Sequence, residues 1–202
     1  MKLCVLQDVS RVWFILIFTA MLSGFERNLC AENVIYSLIP EKSPVHFYVQ
    51  TNVLRVHGIT HSVSSKILFD NETKTPQTPV IAEVMVESFK TGSGFRDRSI
   101  YRMFQSAEYP VMHFRAVEIR CDDFKVTDRG VCQLEGILRI RNIEKTVQFE
   151  VEVDRQDSQM IVTGKSGISI ESYQLKPPRF LGLLSVKDRV EIEFYTVWKV
   201  VI

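Results

Sequence analysis

Residues Thr91–Phe114 read TGSGFRDRSIYRMFQSAEYPVMHF. They break the two-residue alternation that runs on both sides of them. A strand-like run, Val80 to Lys90, leads in. Gly92 and Gly94 then permit a tight turn. Asp97 supplies an acceptor suited to the free N–H groups at a helix start. Ile100, Met103 and Phe104 fall at i, i+3 and i+4, one face of a helix of about two turns. Tyr109-Pro110 should end it, because proline disfavours helical geometry in the residue before it. Alternation resumes with Met112, Phe114 and Ala116. The prediction is a strand, one short helix, and a returning strand.

Outward from this stretch the period is two. Val45, Phe47 and Val49 alternate with His46, Tyr48 and Gln50, the pattern of a half-buried strand. After Gly58, a second run through Val63, Ile67 and Phe69 reaches Asp70-Asn71, a turn signal. A polar loop, Thr73 to Pro79, precedes Ala82, Val84 and Val86, whose partners are Glu83, Met85 and Glu87. Met112 to Ile119 follows the helix. The charged segment Cys121 to Gly130 ends in Asp128-Arg129-Gly130, a hairpin turn. Leu134, Gly136, Leu138 and Ile140 form one long apolar face, and Val147, Phe149, Val151 and Val153 form the next. Another strand covers Met160 to Ile170. An irregular, proline-bearing segment, Tyr173 to Leu184, leads to Val190, Ile192, Phe194 and Thr196. About eight antiparallel strands with one apolar face each, and one inserted helix, give an all-β domain. Such strands close into a barrel or stack as a sandwich.

These residues also carry a family likeness. Thr91-Gly92, Arg96-Asp97, Phe104 and Tyr109-Pro110 followed by Phe114 resemble the signature of the YceI-like family. The likeness extends to Ser43-x-Val45-x-Phe47-x-Val49 with Gly58, to Gly136-x-Leu138-x-Ile140 with Lys145-x-Val147, and to Tyr173 followed by Asp188-x-Val190-x-Ile192. Here Arg98, Ser99 and Ile100 stand where the family has a histidine and a leucine. Ile168, Ser169 and Ile170 fill a segment where many members carry an arginine, and Pro177-Pro178 replace simpler loop residues. The resemblance implies an antiparallel eight-stranded lipocalin-like barrel that holds a long apolar molecule such as a polyisoprenoid, and it places the protein in the periplasm.

The first thirty-one residues read differently. Lys2 and Arg11 precede VWFILIFTAML, Val12 to Leu22, an uncharged run of secretory h-region length that falls short of the ~20 residues needed to span a bilayer. The expectation is a signal peptide, residues 1–31, cleaved after Ala31, with Gly24 the second choice, and a barrel domain over residues 32–202. Left uncleaved, the segment would be the chain's one membrane anchor. The protein would be periplasmic or secreted.

Net charge is +1 over 202 residues, so the basic footprint of a nucleic-acid binder is missing. No serine sits in a G-x-S-x-G elbow, and the Gly92-Ser93-Gly94 turn lacks a third glycine and a parallel strand–helix unit. Carboxylates fall on outward strand positions, where catalysis would need them buried in a cleft. His46 and His113 should point outward; His57 and His61, sharing a loop, make at most a weak metal site. Arg96-Asp97 reads better as a lock on the helix entry than as a ligand contact. Cys121 and Cys132, if exported, could bridge a hairpin.

No catalytic residue, cofactor or structural metal is therefore expected. What remains is the interior. Candidate ligand-lining residues are Phe47, Val49, Phe69, Val84, Val86, Met112, Phe114, Leu138, Ile140, Phe149, Val151, Ile192 and Phe194. Ile100, Met103 and Phe104 would form a lid or one end of a tunnel. By this reading the protein is a carrier for a hydrophobic small molecule: an isoprenoid quinone, a polyprenyl lipid, or a fatty amide or acid. The alternative is a filled barrel whose loops bind a partner protein, and a homodimer stays open. Phe149→Asp would put a charge on the inward face at a cost of several kcal/mol. A sharp fall in the thermal midpoint is expected; an unchanged midpoint would mean that the strand's phase is reversed.

Overall fold

A strand with one apolar face must bury it, and a chain of such strands leaves no exposed edge only if the last pairs with the first. The computed structural model describes residues 33–70, 73, 75–77, 79–121, 128–156, 158–177 and 185–201. Its strands are β1 (Asn33–Leu38), β2 (Val45–Thr51), β3 (Arg55–Thr60), β4 (Val63–Asp70), β5 (Thr75–Pro76), β6 (Ile81–Met85), β7 (Val111–Cys121), β8 (Arg129–Ile140), β9 (Ile143–Gln156), β10 (Gln159–Ser169) and β11 (Val186–Val201). Among the described residues one α-helix, α1 (Gly94–Phe104), lies between β6 and β7. Cleavage at residue 31, Cys30, Asn71, Pro178 and most of the charged β7–β8 connection lie outside the described residues.

The main ring runs β1-β4-β6-β7-β8-β9-β10-β11 and returns to β1. Every pairing in it is antiparallel. β1 makes the closure, Val34 opposite Phe69 of β4 and Leu38 opposite Trp198 of β11. A 3-10 turn, Pro40–Lys42, bends the chain from β1 into β2, which pairs with the first half of β11, Ile192 opposite Phe47. β3 follows by a hairpin and reaches the far side through Ile59 and Lys90, whose N–H and carbonyl groups bond reciprocally at 2.9 Å. Thus β1 with β2, and β3 with β4, act as two bent strands, and beyond the bend β3 is joined to the rest of the ring by the bridge at Lys90.

The expectation of eight strands and one helix holds, with local corrections. β1 went unread because apolar Ile35 sits on its outer face beside the inward Tyr36 and Leu38. The run from Val80 stops being a strand at Met85, and Val86–Ser88 form a 3-10 turn. The helix is not ended by Tyr109-Pro110. It stops at Phe104, where Gln105 takes a left-handed conformation, φ 55°. Asp97 does not cap the helix's free N–H groups: Ser93 occupies the cap position without a side-chain bond.

Strand β7 carries an irregularity between Ala116 and Glu118. The inward positions shift there from Met112 and Phe114 to Ile119 and Cys121, and Val117 is turned outward. This extra residue is what brings Cys121 opposite Cys132 on β8, where the two form a disulfide. Among the described residues no helix is long and apolar enough to cross a membrane.

Three inward phenylalanines lie over glycines on neighbouring strands. Phe47 covers Gly58, Phe114 covers Gly136 and Phe194 covers Gly164, so closely that a Cβ at any of these glycines would overlap the ring. The rings therefore lie along the wall instead of standing into the interior, a device by which strongly curved sheets accommodate aromatics. Gly58→Ala should cost about 1–3 kcal/mol through overpacking. In a Phe47→Ala background the same change should cost nearly nothing. Urea unfolding of the four proteins checks this, and equal costs in both backgrounds would contradict it.

Candidate functional site

The inward faces do not meet in the middle. They enclose a cavity of about 440 Å³, within the range of small-molecule pockets. Phe47, Val49, Phe69, Val84, Ile100, Met103, Phe104, Met112, Phe114, Leu138, Ile140, Phe149, Val151, Ile192 and Phe194 all lie on its wall. Val86 does not. The 3-10 turn takes it out of the strand's phase, so it is buried beside the wall, its N–H donating to the Pro110 carbonyl at 2.9 Å. Phe89, three residues on, takes the wall position and packs edge-on against Phe47, with centroids 5.3 Å apart. Periodicity missed Phe89 because the turn resets the alternation.

At mid-height the wall is aromatic. Phe149 meets Phe114 edge-on at 5.5 Å and Phe194 at 5.7 Å. One end is plugged by a packed cluster that includes Tyr36, Phe69, Met160 and Trp198. Its indole is satisfied: the Trp198 N–H donates to Thr196 Oγ1 at 2.9 Å, and that hydroxyl donates to the Val162 carbonyl at 2.9 Å. The Cys121–Cys132 pair also lines the cavity, so this disulfide, which bridges the β7–β8 pair, belongs to the wall.

The other end is covered by α1, which contributes Arg96, Ser99, Ile100, Met103 and Phe104. Its entry is fixed by Asp97. That carboxylate accepts the Thr91 N–H at 2.9 Å and the Thr91 hydroxyl at 2.6 Å. Arg96 donates to the Thr91 carbonyl at 2.8 Å. The pair is thus a structural lock, the reading its sequence context favoured. Arg96 is also the one charged side chain among the described lining residues.

A third piece closes the same end. Tyr173 and Leu175 pack with Ile140 and Ile170, against which Met103 and Phe104 of the helix lie. Arg141, at a left-handed turn position, donates to the Tyr173 and Gln174 carbonyls at 2.8 and 3.0 Å. Burial pushes the Tyr173 phenol up to about 12. The chemistry available on this wall is that of dispersion and desolvation. Among the described residues no three histidine, cysteine or acidic side chains converge on one point.

His46 and His113 point outward as expected, but the expected loop shared by His57 and His61 is not found. His57 is on β3, not in a loop with His61, and its Nε2 lies 2.8 Å from His46 Nδ1 on the barrel's outer face. His113 is also outside, 3.3 Å from Glu83.

The YceI-like domain model matches residues 36–198, all of this barrel but the first half of β1 and the last residues of β11. The chain belongs to the YceI-like domain family. Among solved structures, the YceI-like barrel resembles Burkholderia cenocepacia BcnA, at TM-score 0.67 and 19% identity, covering 79% of this chain and 98% of that one. It also resembles a polyisoprenoid-binding domain from Saccharophagus degradans implicated in plant cell wall breakdown, at TM-score 0.66 and 15% identity, covering 82% and 98%. A YceI protein of Campylobacter jejuni aligns at TM-score 0.53 and 17% identity, covering 73% and 85%. At these identities the likeness is one of fold. No curated protein matches the sequence.

The Tyr173 phenol gives this YceI-like domain a pH signature. A folded-state pKa raised above the unfolded value near 10 means that the neutral phenol's contribution is fully present below pH 10. It is lost as pH rises from 10 toward 12. Chemical denaturation of the native protein should show stability falling across that window more steeply than in Tyr173→Phe. Parallel curves would contradict the burial of this hydroxyl.

Proposed function

We propose that this YceI-like domain is an exported carrier, periplasmic or secreted, that holds one long-chain apolar molecule inside the barrel. Suitable guests are an isoprenoid quinone, a polyprenyl lipid, or a fatty amide or acid. The enclosed apolar cavity carries the reading. Burial of each methylene stabilises by ~0.8 kcal/mol, so a dozen carbons contribute roughly 10 kcal/mol before ordering costs. Affinity of that kind needs few polar contacts, which suits a wall whose only charge among the described residues is Arg96.

Two further points support it. The aromatic rings lie flat along the wall over glycines, leaving the space between them. The Saccharophagus degradans domain of the same fold is a polyisoprenoid binder. Export rests on the uncharged run Val12 to Leu22 and on the Cys121–Cys132 disulfide, a bond favoured in oxidising compartments. The role assigned is to shield and carry its guest across water, with no bond made or broken. The wall residues named above, Val86 excepted, would be the contacts.

Organic-solvent extraction of the purified protein, followed by mass spectrometry, tests this. A long-chain lipid near one equivalent is expected. Leu138→Trp, which fills the middle of the cavity, should lower the recovered lipid at least severalfold while the circular dichroism stays that of a β protein. Extracts without lipid, together with no uptake of added long-chain lipids, would overturn the proposal.

A further inference from the structure

The outer face of the β2–β3 hairpin carries a histidine pair that the carrier role does not use. His46 is in register with Ile59, and His57 with Tyr48, so the two histidines sit diagonally across the strands, a separation long side chains can bridge. His46 Nδ1 and His57 Nε2 are 2.8 Å apart. The ring planes lie within 20° of each other and the centroids are 5.1 Å apart. Nitrogens that close between such distant centroids mean that the rings meet edge to edge, nearly coplanar. Each turns one ring nitrogen toward the other.

We propose that His46 and His57 form a surface site for a late first-row transition-metal ion, of the zinc or copper class, with water completing the coordination. Imidazole is a preferred ligand for these ions, and oxygen-seeking calcium and magnesium are excluded by it. Two nitrogens at 2.0–2.1 Å from a tetrahedral ion stand about 3.3 Å apart, so the pair has to open by about half an ångström, which rotation of side chains on an outer face provides. The ring that donates the present N–H···N bond needs only to change tautomer, its proton moving to the nitrogen that faces water.

The surroundings favour a cation. Glu193 of β11 stands in register with His46 and acts on it electrostatically. Arg55, two residues from His57 on the same strand, lies over the Tyr48 ring at 4.2 Å and is paired with Glu191 at 2.5 Å. Tyr48 lies nearly parallel to His57, with centroids 5.0 Å apart, and holds that ring in place. Desolvation, then His57, lowers the His46 pKa, which keeps the imidazole in its neutral, ligating form at pH 7.

Zinc chloride titrated into the purified protein, followed by calorimetry, tests the site. One ion should bind, and more weakly at pH 5.5 than at pH 7.5, because protons compete with a metal for its ligand nitrogens. His46→Ala and His57→Ala should each weaken it by roughly tenfold or more, at least the effect of losing a ligand's supporting partner. His113→Ala should leave it unchanged. Zinc should also perturb the ring resonances of His46 and His57, but not that of His113. Binding that survives both alanine variants, or none in the native protein at millimolar zinc, would overturn the site. Both variants lie outside the cavity, so their lipid content should match the native protein's.

Discussion

Everything inside this molecule depends on β1 pairing with two strands at once. With Val34 opposite Phe69 on one side and Leu38 opposite Trp198 on the other, the sheet loses its free edges. Each strand must then choose a face for the interior. Closure turns a period-two pattern into a wall that is apolar nearly all the way round. The bends at Pro40–Lys42 and between β3 and β4 carry the chain into β2 and β3, which extend the wall toward the other end.

A closed ring of this size can also be filled solid. What keeps space here is the placement of small residues under large ones. Glycines at 58, 136 and 164 let Phe47, Phe114 and Phe194 lie down against the sheet. The helix closes one end because Asp97 ties its first turn back to Thr91, and Arg141 holds the Tyr173 turn across from it. A buried carboxylate with two donors is a rigid joint, so the lid is positioned by polar bonds while its inner face stays greasy.

The wall was legible wherever a strand kept its phase. Phe149 and Val151 on β9, or Ile192 and Phe194 on β11, alternate without interruption and line the cavity as their spacing implies. Legibility failed where something other than alternation sets the direction. The 3-10 turn at Val86 removes that residue and substitutes Phe89; the extra residue near Val117 turns Cys121 inward. β1 was hidden by Ile35 on its outer face, and the His46–His57 contact by a strand, β3, that shows little alternation of its own. Pairing across strands is long-range information, and a single run of residues does not contain it.

Trp198 offers the most direct test of a dry interior with room for a guest. It lines the cavity, is almost fully buried, and is the only tryptophan besides Trp13. In a Trp13→Phe chain stripped of lipid, its emission should be blue-shifted, and a brominated long-chain fatty acid should quench it saturably at about one equivalent while the unbrominated acid does not. Quenching that rises linearly without saturation, or emission typical of an indole in water, would contradict the account.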